Sequence, residues 1–208
     1  MKVKVCGITS YSDAAFALDQ GVDALGFNFY PRSLRYIDPA KARSIIGRLP
    51  PFATTVGLFV NEENPEAVCE AARQAAVKVL QFHGDESPSY CRYFASWPLI
   101  KALRLDRASV ASELREYPVH AFLLDSRDDA LFGGTGKTFD WSLAELVKGI
   151  RPIVLAGGLK PENVGEAIRE VQPYGVDVCS GVESAPGKKD AGRLIDFMNE
   201  VRNAVKSP

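Results

Sequence analysis

The sequence predicts an α/β protein of the (β/α)8-barrel class, with eight parallel strands in a single domain. Short apolar runs rich in β-branched residues alternate with segments of helical period along the whole chain. This alternation predicts parallel strands joined by right-handed helical crossovers. The 208 residues give about 26 per strand–helix unit, near the lower end of the size range of such barrels. An open doubly wound sheet is the alternative, but its usual glycine-rich fingerprint in the first turn is missing.

Each strand is predicted from a β-branched or apolar run bounded by turn-forming residues. In chain order the predicted strands are Val3–Ile8, Ala24–Phe29, Thr55–Val60, Val79–His83, Leu99–Leu105, His120–Asp125, Ile153–Ala156 and Val176–Ser180.

Helices are predicted between the strands. Proline stands at the first helical position after Asp38, Asn64 and Lys160. Apolar residues recur at helical spacing at Ala42, Ile45, Ile46 and Leu49, and again at Val164, Ala167, Ile168 and Val171. The last helix is predicted from Asp190 to about Val205, with an apolar side formed by Leu194, Ile195, Met198, Val201 and Val205. No linker-like segment divides the chain, which predicts one domain over residues 1–208.

Composition excludes several classes of partner. Lys and Arg total 25 against 26 Asp and Glu, without a basic block, which argues against nucleic acid and anionic membranes. The longest apolar runs fall far short of the roughly 20 residues of a membrane span, and no apolar signal segment follows Met1. The four cysteines form no Cys-x-x-Cys pair, and there are two histidines. We therefore expect a cytoplasmic protein without disulfides or a metal site.

Barrels of this class carry functional groups at the carboxyl ends of their strands and in the loops that follow. Six predicted strands end in polar or glycine residues: Cys6, Asn28, His83, Asp125, Gly157–Gly158 and Ser180–Gly181. One glycine after a strand is most simply a tight turn. Glycines after both strands 7 and 8 instead predict a phosphate site, formed by the backbone N–H groups of Gly157, Gly158, Ser180 and Gly181.

The segment 133–138, Gly-Gly-Thr-Gly-Lys-Thr, is similar to a nucleotide-binding P-loop, but Leu131 stands where that motif requires its first glycine. We predict instead a glycine-rich loop around Gly134 and Gly136 that folds over a ligand and excludes water. A surface loop without such a role is the alternative.

Cys6 and Asp125 end strands 1 and 6, on either side of the predicted phosphate site, because strands 6, 7, 8 and 1 are consecutive around a barrel. Taken alone, a cysteine such as Cys6 is more often a buried core residue, and Asp125 could equally be a helix or turn cap or an acid. Together they suit a proton-transfer isomerase acting on a phosphosugar. Arg32 and Arg35 form either a solvated basic turn or a clamp for a substrate carboxylate. His83 is expected to be structural or to line the substrate.

The alternation of side chains along strands predicts that Lys4, Gln81, Lys101 and Asp177 point into the barrel. Buried charges require partners, and strands 1 and 8 are neighbours, so we predict a contact between Lys4 and Asp177. Lys4 would also help lower the pKa of the Cys6 thiol from its free value of about 8.5.

Six motifs, in order along nearly the whole chain, resemble those of the phosphoribosylanthranilate isomerases of tryptophan biosynthesis. They lie at residues 4–9, 29–36, 81–86, 133–141, 155–164 and 180–183. Departures from the family pattern are Leu34 where proline is common, Lys160 where asparagine is common, and Cys179 where a small polar residue is usual.

The resemblance implies an Amadori rearrangement of an aminoaldose phosphate, with Cys6 as general base and Asp125 as general acid. It implies that Arg35 binds the anthranilate carboxylate, and we add His83 and Asp177 as further substrate contacts. The substrate is then a small phosphosugar, no cofactor or metal is required, and the protein is a monomer or homodimer. A related aminoaldose isomerase and a non-catalytic phosphosugar-binding barrel are the alternatives.

Overall fold

Eight parallel strands close into a (β/α)8 or TIM barrel, as predicted. The computed structural model of the chain describes residues 1–104, 111–125, 144–145 and 147–206. Each strand pairs with the next in sequence, and the eighth pairs with the first. The strands are β1 (Lys2–Val5), β2 (Ala24–Asn28), β3 (Thr54–Phe59), β4 (Val79–Phe82), β5 (Leu99–Leu103), β6 (Ala121–Leu124), β7 (Ile153–Leu155) and β8 (Gly175–Val178).

Helices pack around the barrel, and four of them begin at a side-chain cap. Ser10, Asp38, Asn64 and Ser87 each accept a hydrogen bond from a backbone N–H of the first helical turn. Proline begins the helices after Asp38, Asn64 and Lys160, as predicted, and it also follows Ser87. The helices are α1 (Tyr11–Asp19), α2 (Pro39–Ile46), α3 (Pro65–Ala75), α4 (Pro88–Arg92), α5 (Ala111–Arg115), α6 (Pro161–Val171) and α7 (Ala191–Lys206).

Several predicted strand ends and two predicted helix faces differ from the structure. β1 ends at Val5 rather than Ile8, because Gly7 turns the chain with a φ of 77°. The predicted apolar face of α2 loses Leu49, which lies beyond the end of that helix. In α7, the predicted core residues Ile195 and Val205 are 38% and 53% exposed. The buried side of α7 is rotated toward Leu194, Phe197, Met198, Val201 and Ala204.

Lys101 does not point into the barrel, and that prediction is wrong. The pairing of β4 with β5 places Gln81 opposite Ile100 and Phe82 opposite Lys101. Lys101 therefore shares the outer face with Phe82, and its Nζ lies 3.1 Å from the buried Glu86 carboxylate. Because β5 is apolar at nearly every other position, its sequence does not indicate which face is inward.

A short antiparallel hairpin follows the last barrel strand. Residues Ser180–Val182 form a turn of 3₁₀ helix, after which β9 (Glu183–Ala185) pairs with β10 (Lys188–Lys189). The hairpin lies against the loop after β1, where the Thr9 hydroxyl donates to the Gly187 carbonyl at 2.5 Å. This places the side chains of Glu183 and Lys189 beside the carboxyl ends of β8 and β1.

A cavity of about 520 Å³ opens at the amino-terminal end of the barrel. Aliphatic side chains from the strands form much of its lining, together with Phe52, which is 97% exposed. Cys6, Asp125 and the two glycine loops lie at the opposite end, where barrels of this class carry their functional groups.

Candidate active site

A cavity of about 510 Å³ at the carboxyl ends of the strands brings most of the predicted site residues together. Its lining includes Cys6, Arg35, His83, Asp125, Gly157, Gly158, Asp177 and Ser180. Gly181 directly follows Ser180 in the 3₁₀ turn. Gly134 and Gly136 lie outside the residues that the structure describes. The placement agrees with the predicted geometry, and the chemical role of each residue stays a prediction.

Cys6 lies beside a second thiol, that of Cys179. The Cys6 N–H continues the ladder beyond β1 by donating to the Val178 carbonyl at 2.9 Å, which sets Cys6 next to Cys179 at the end of β8. The Cys179 thiol lies 3.9 Å from Glu183 Oε1, to which it donates. Its interaction with Cys6 lowers the pKa of the Cys6 thiol, and the positive charges of Lys4 and Lys189 lower it further, although burial opposes them.

The other thiols in the chain provide a contrast. Burial raises the pKa of Cys69 and brings that of Cys91 to about 11. The pKa of Cys179 is also raised, first by its hydrogen bond to Cys6 and then by burial. Cys6 is therefore the thiol that ionises most readily among the four, which is the property that a base or nucleophile requires.

The predicted contact between Lys4 and Asp177 is present beneath the cavity. Lys4 Nζ lies 2.9 and 3.0 Å from the two carboxylate oxygens of Asp177. Burial opposes the charge of Lys4, but Asp177 and Cys6 outweigh it and raise the pKa of the ammonium group. Burial raises the pKa of Asp177 to about 7 in spite of Lys4. Lys4 therefore stays charged and faces both Asp177 and the Cys6 sulfur.

Asp125 is held by a chain of hydrogen bonds from β4. Its Oδ2 lies 2.9 Å from His83 Nε2, and His83 Nδ1 lies 3.1 Å from Gln81 Nε2. Asp125 follows β6 directly, and its N–H continues the ladder by donating to the Leu103 carbonyl at 3.1 Å. About a quarter of its side chain, 27%, is exposed, so the carboxylate is accessible from the cavity.

Arg35 is oriented by Glu183. Arg35 Nε donates to both carboxylate oxygens at 3.0 Å, and Nη2 donates to Oε2 at 2.6 Å. Glu183 also accepts from Lys189 Nζ at 2.9 Å and from the Gly187 N–H at 3.2 Å. Burial opposes the charge of Glu183, but the hydrogen bonds from Arg35 and Lys189 lower its pKa. Arg35 keeps Nη1 for a further acceptor, because Glu183 engages only Nε and Nη2.

The two glycine loops are in contact with each other. Gly157 and Gly158 both adopt positive φ, 76° and 65°, and a Cβ added to Gly158 would meet nothing within 4 Å. At Gly181 a Cβ would lie 2.0 Å from the Leu159 carbonyl oxygen, so no side chain fits there. The loops after β7 and β8 therefore form one surface with backbone exposed toward the cavity, an arrangement suited to an anion.

Three residues close to the cavity were not predicted as site residues from the sequence: Cys179, Glu183 and Lys189. Lys189 is buried and donates from Nζ to the Cys6 carbonyl at 2.5 Å. Cys179 stands where the family usually has a small polar residue, and this difference was the one indication in the sequence that Cys179 could belong to the site. Glu183 belongs to the motif at residues 180–183, but its partner Arg35 is 148 residues away in sequence. Nothing in the local sequence indicates the role of Lys189.

The described residues include neither a metal-binding cluster nor a membrane-spanning helix. No group of three or more His, Cys, Asp and Glu side chains is placed to hold a metal ion in that part of the chain. Of the helices in the described ranges, none is long and apolar enough to cross a membrane.

The closed barrel and the polar cavity at the carboxyl ends of its strands are the architecture of a single-domain (β/α)8-barrel enzyme. Residues 3–200 match the family model described as N-(5'-phosphoribosyl)anthranilate (PRA) isomerase. A relative of that name from Trichlorobacter lovleyi is 48% identical over 99% of this chain and 100% of its own length. The chain therefore belongs to the N-(5'-phosphoribosyl)anthranilate isomerase family, an intramolecular isomerase family.

Solved structures of the family agree with the fold. An isomerase in complex with reduced 1-(o-carboxyphenylamino)-1-deoxyribulose 5-phosphate is 41% identical, with a TM-score of 0.83, covering 98% of this chain and 99% of that one. A second structure, of monomers generated from the dimeric isomerase of Thermotoga maritima, is 40% identical, with a TM-score of 0.86 and the same coverage.

Proposed function

We propose that this protein isomerises N-(5'-phosphoribosyl)anthranilate to 1-(2-carboxyphenylamino)-1-deoxyribulose 5-phosphate, as a cytoplasmic enzyme of tryptophan biosynthesis. The observation that carries the proposal is one cavity. Cys6, Asp125 and the two contacting glycine loops all line it. The relative bound to a reduced form of this product supports the choice of ligand. The Thermotoga maritima relative is described as monomers generated from a dimeric isomerase, so the proposal keeps both assembly states, monomer and homodimer.

The reaction begins with a proton from Asp125. Asp125, protonated, donates to the ribose ring oxygen, and the C1'–O bond breaks to give an iminium, with the nitrogen lone pair forming the C=N bond. Cys6, as thiolate, then removes the C2' proton; the electron pair of that C–H bond forms the C1'=C2' double bond, and the C=N pair returns to the nitrogen. The resulting enolamine tautomerises to the ketone. The iminium of the substrate is its own electron sink, so the proposed reaction requires neither metal nor cofactor.

The remaining residues hold the substrate in the proposed reaction. The backbone of Gly157, Gly158, Ser180 and Gly181 binds the phosphate, which fixes one end of the sugar between base and acid. Arg35 binds the anthranilate carboxylate through the donor that Glu183 leaves available. Lys4 and Lys189 stabilise the thiolate of Cys6. Asp177 and His83 lie in the same lining and are proposed as substrate contacts.

Turnover of freshly prepared phosphoribosylanthranilate tests the function directly. We expect the fluorescence of the anthranilate group to fall as substrate is converted, at a rate proportional to protein concentration. Binding without loss of fluorescence would instead support a non-catalytic phosphosugar-binding barrel. Conversion of the aminoaldose of histidine biosynthesis, without conversion of phosphoribosylanthranilate, would identify the related isomerase.

Cys179→Ala is expected to shift the pH dependence of kcat/KM. A base must be deprotonated, so activity is present above the pKa of Cys6 and lost as pH falls through it. Removing the hydrogen bond from Cys179 raises that pKa. We therefore expect the acid limb to move to higher pH. Cys179→Ser keeps a hydroxyl donor and should move the limb less. An acid limb unmoved in Cys179→Ala would contradict this role.

Arg35→Lys is expected to raise KM about tenfold or more, with kcat changed only a few-fold. Lysine keeps the charge that pairs with Glu183 but cannot offer a planar second donor to the substrate carboxylate. A substrate made from aniline, which lacks that carboxylate, is the matched control. Wild type and Arg35→Lys should have similar KM for it. A KM for phosphoribosylanthranilate that does not change would remove Arg35 from carboxylate binding.

A further inference from the structure

Gln81 is a fully buried residue of β4 whose amide is only half satisfied. Its exposure is 0%, and in the described part of the chain its Oε1 is the only buried side-chain N or O atom without a hydrogen-bond partner. Burying an unpaired amide oxygen is unfavourable, and an apolar side chain of the same size would avoid the cost. Packing alone therefore does not explain an amide at this position inside the barrel.

The contact that Gln81 makes leads to the predicted acid. Gln81 Nε2 lies 3.1 Å from His83 Nδ1, and His83 Nε2 lies 2.9 Å from Asp125 Oδ2. An amide NH₂ can only donate, so Nδ1 must be the acceptor. A neutral imidazole with an unprotonated Nδ1 carries its hydrogen on Nε2. His83 can then donate to the carboxylate of Asp125.

We propose that Gln81 is a positioning residue that fixes the Nε2–H tautomer of His83, so that His83 donates to Asp125 throughout the reaction. The expected effect of Gln81 on kcat rests on the proposed function, whereas the expected tautomer of His83 is independent of it. When Asp125 passes its proton to the ring oxygen, negative charge develops on its carboxylate. The N–H of His83 is already aimed at that carboxylate and stabilises the charge without reorganising. His83 keeps its own proton, and the proton delivered to the ring oxygen comes from Asp125.

If the side-chain amide of Gln81 were flipped, His83 would adopt the other tautomer. With Oε1 facing Nδ1, a neutral imidazole would have to carry its hydrogen on Nδ1, and its Nε2 could not donate to a carboxylate. The two orientations are thus distinguished by one observable, the nitrogen that carries the hydrogen in His83.

Nitrogen-15 spectra of the imidazoles provide this observable, because the chain has only two histidines. His120 is an internal reference. Its Nδ1 accepts from the Leu99 N–H at 3.1 Å, so it too must hold its hydrogen on Nε2. His120→Gln assigns the two sets of signals. We expect both residues of the wild-type protein to have the Nε2–H pattern. An Nδ1–H pattern for His83 in the wild type would overturn the proposal, whether or not the protein turns over substrate.

Gln81→Met tests the consequence, since it removes the amide at nearly unchanged size. We expect kcat to fall about tenfold and KM to stay within about twofold of the wild type. The reason is that the N–H of His83 would no longer be held toward the charge that develops on Asp125 in the transition state. His83 should change to averaged signals from both tautomers. Because the unpaired amide oxygen is removed, the melting temperature should be unchanged or higher. A purely structural Gln81 would lower the melting temperature on substitution and leave kcat unchanged, which would overturn the proposal.

Gln81→Glu provides a second, opposite perturbation. A carboxylate accepts only, so it should place a hydrogen on Nδ1 of His83. We expect the His83 spectrum to acquire the protonated Nδ1 signal and kcat to fall with KM again little changed. An unaltered His83 spectrum in Gln81→Glu would show that position 81 does not set the tautomer.

Discussion

Cys6→Ser is expected to lower kcat by about 10² or more, with substrate binding largely retained. Serine preserves the shape of the side chain, but its hydroxyl remains protonated near neutral pH even beside Lys4 and Lys189. The substitution therefore removes the base while leaving the phosphate and carboxylate contacts in place. Loss of anthranilate fluorescence measures turnover, and titration with the reduced product analogue measures binding.

Cys91→Ser is the matched control for this substitution. Cys91 is fully buried, and burial brings its thiol pKa to about 11, so it cannot supply a thiolate near neutral pH. We expect Cys91→Ser to alter stability but to keep kcat within a few-fold of the wild type. Full activity in Cys6→Ala would exclude Cys6 as the base.

The barrel could be predicted because it depends on local patterns repeated eight times. β-Branched runs, helical spacing and proline after a capping residue each specify one element, and the closed order follows from their alternation. The same reasoning predicted that strand ends such as Cys6 and Asp125 lie together, and both line one cavity. The Lys4–Asp177 pair was predictable too, because both side chains had to find partners inside the barrel on adjacent strands.

Features that depend on register or on distant pairing could not be predicted. Lys101 was assigned to the wrong face because the pairing of β4 with β5, rather than the sequence of β5, sets its direction. Glu183 reaches Arg35 across 148 residues, and Lys189 reaches Cys6 across 183, through a hairpin that no apolar pattern marks. Such contacts form only once the barrel has closed, so they leave no periodic signal in the sequence.

Asp125→Asn is expected to lower kcat by about 10² or more, because an amide cannot deliver a proton to the ring oxygen. The amide oxygen can still accept from His83 Nε2, so the geometry of the site and the affinity for the reduced product analogue should be retained. Asp85→Asn, which changes an exposed carboxylate in the loop after β4, is the control and should keep wild-type kcat.

A substrate deuterated at C2' separates the role of Asp125 from that of Cys6. Loss of the acid slows ring opening, the step before C–H cleavage, so the isotope effect on kcat should shrink toward unity in Asp125→Asn. Loss of the base slows C–H cleavage itself, and the isotope effect should be fully expressed in Cys6→Ser. A large isotope effect in Asp125→Asn would mean that Asp125 acts in proton abstraction rather than in ring opening. In that event the hydrogen bond from His83 would tune a base, and the acid would have to be sought among the other groups that line the cavity.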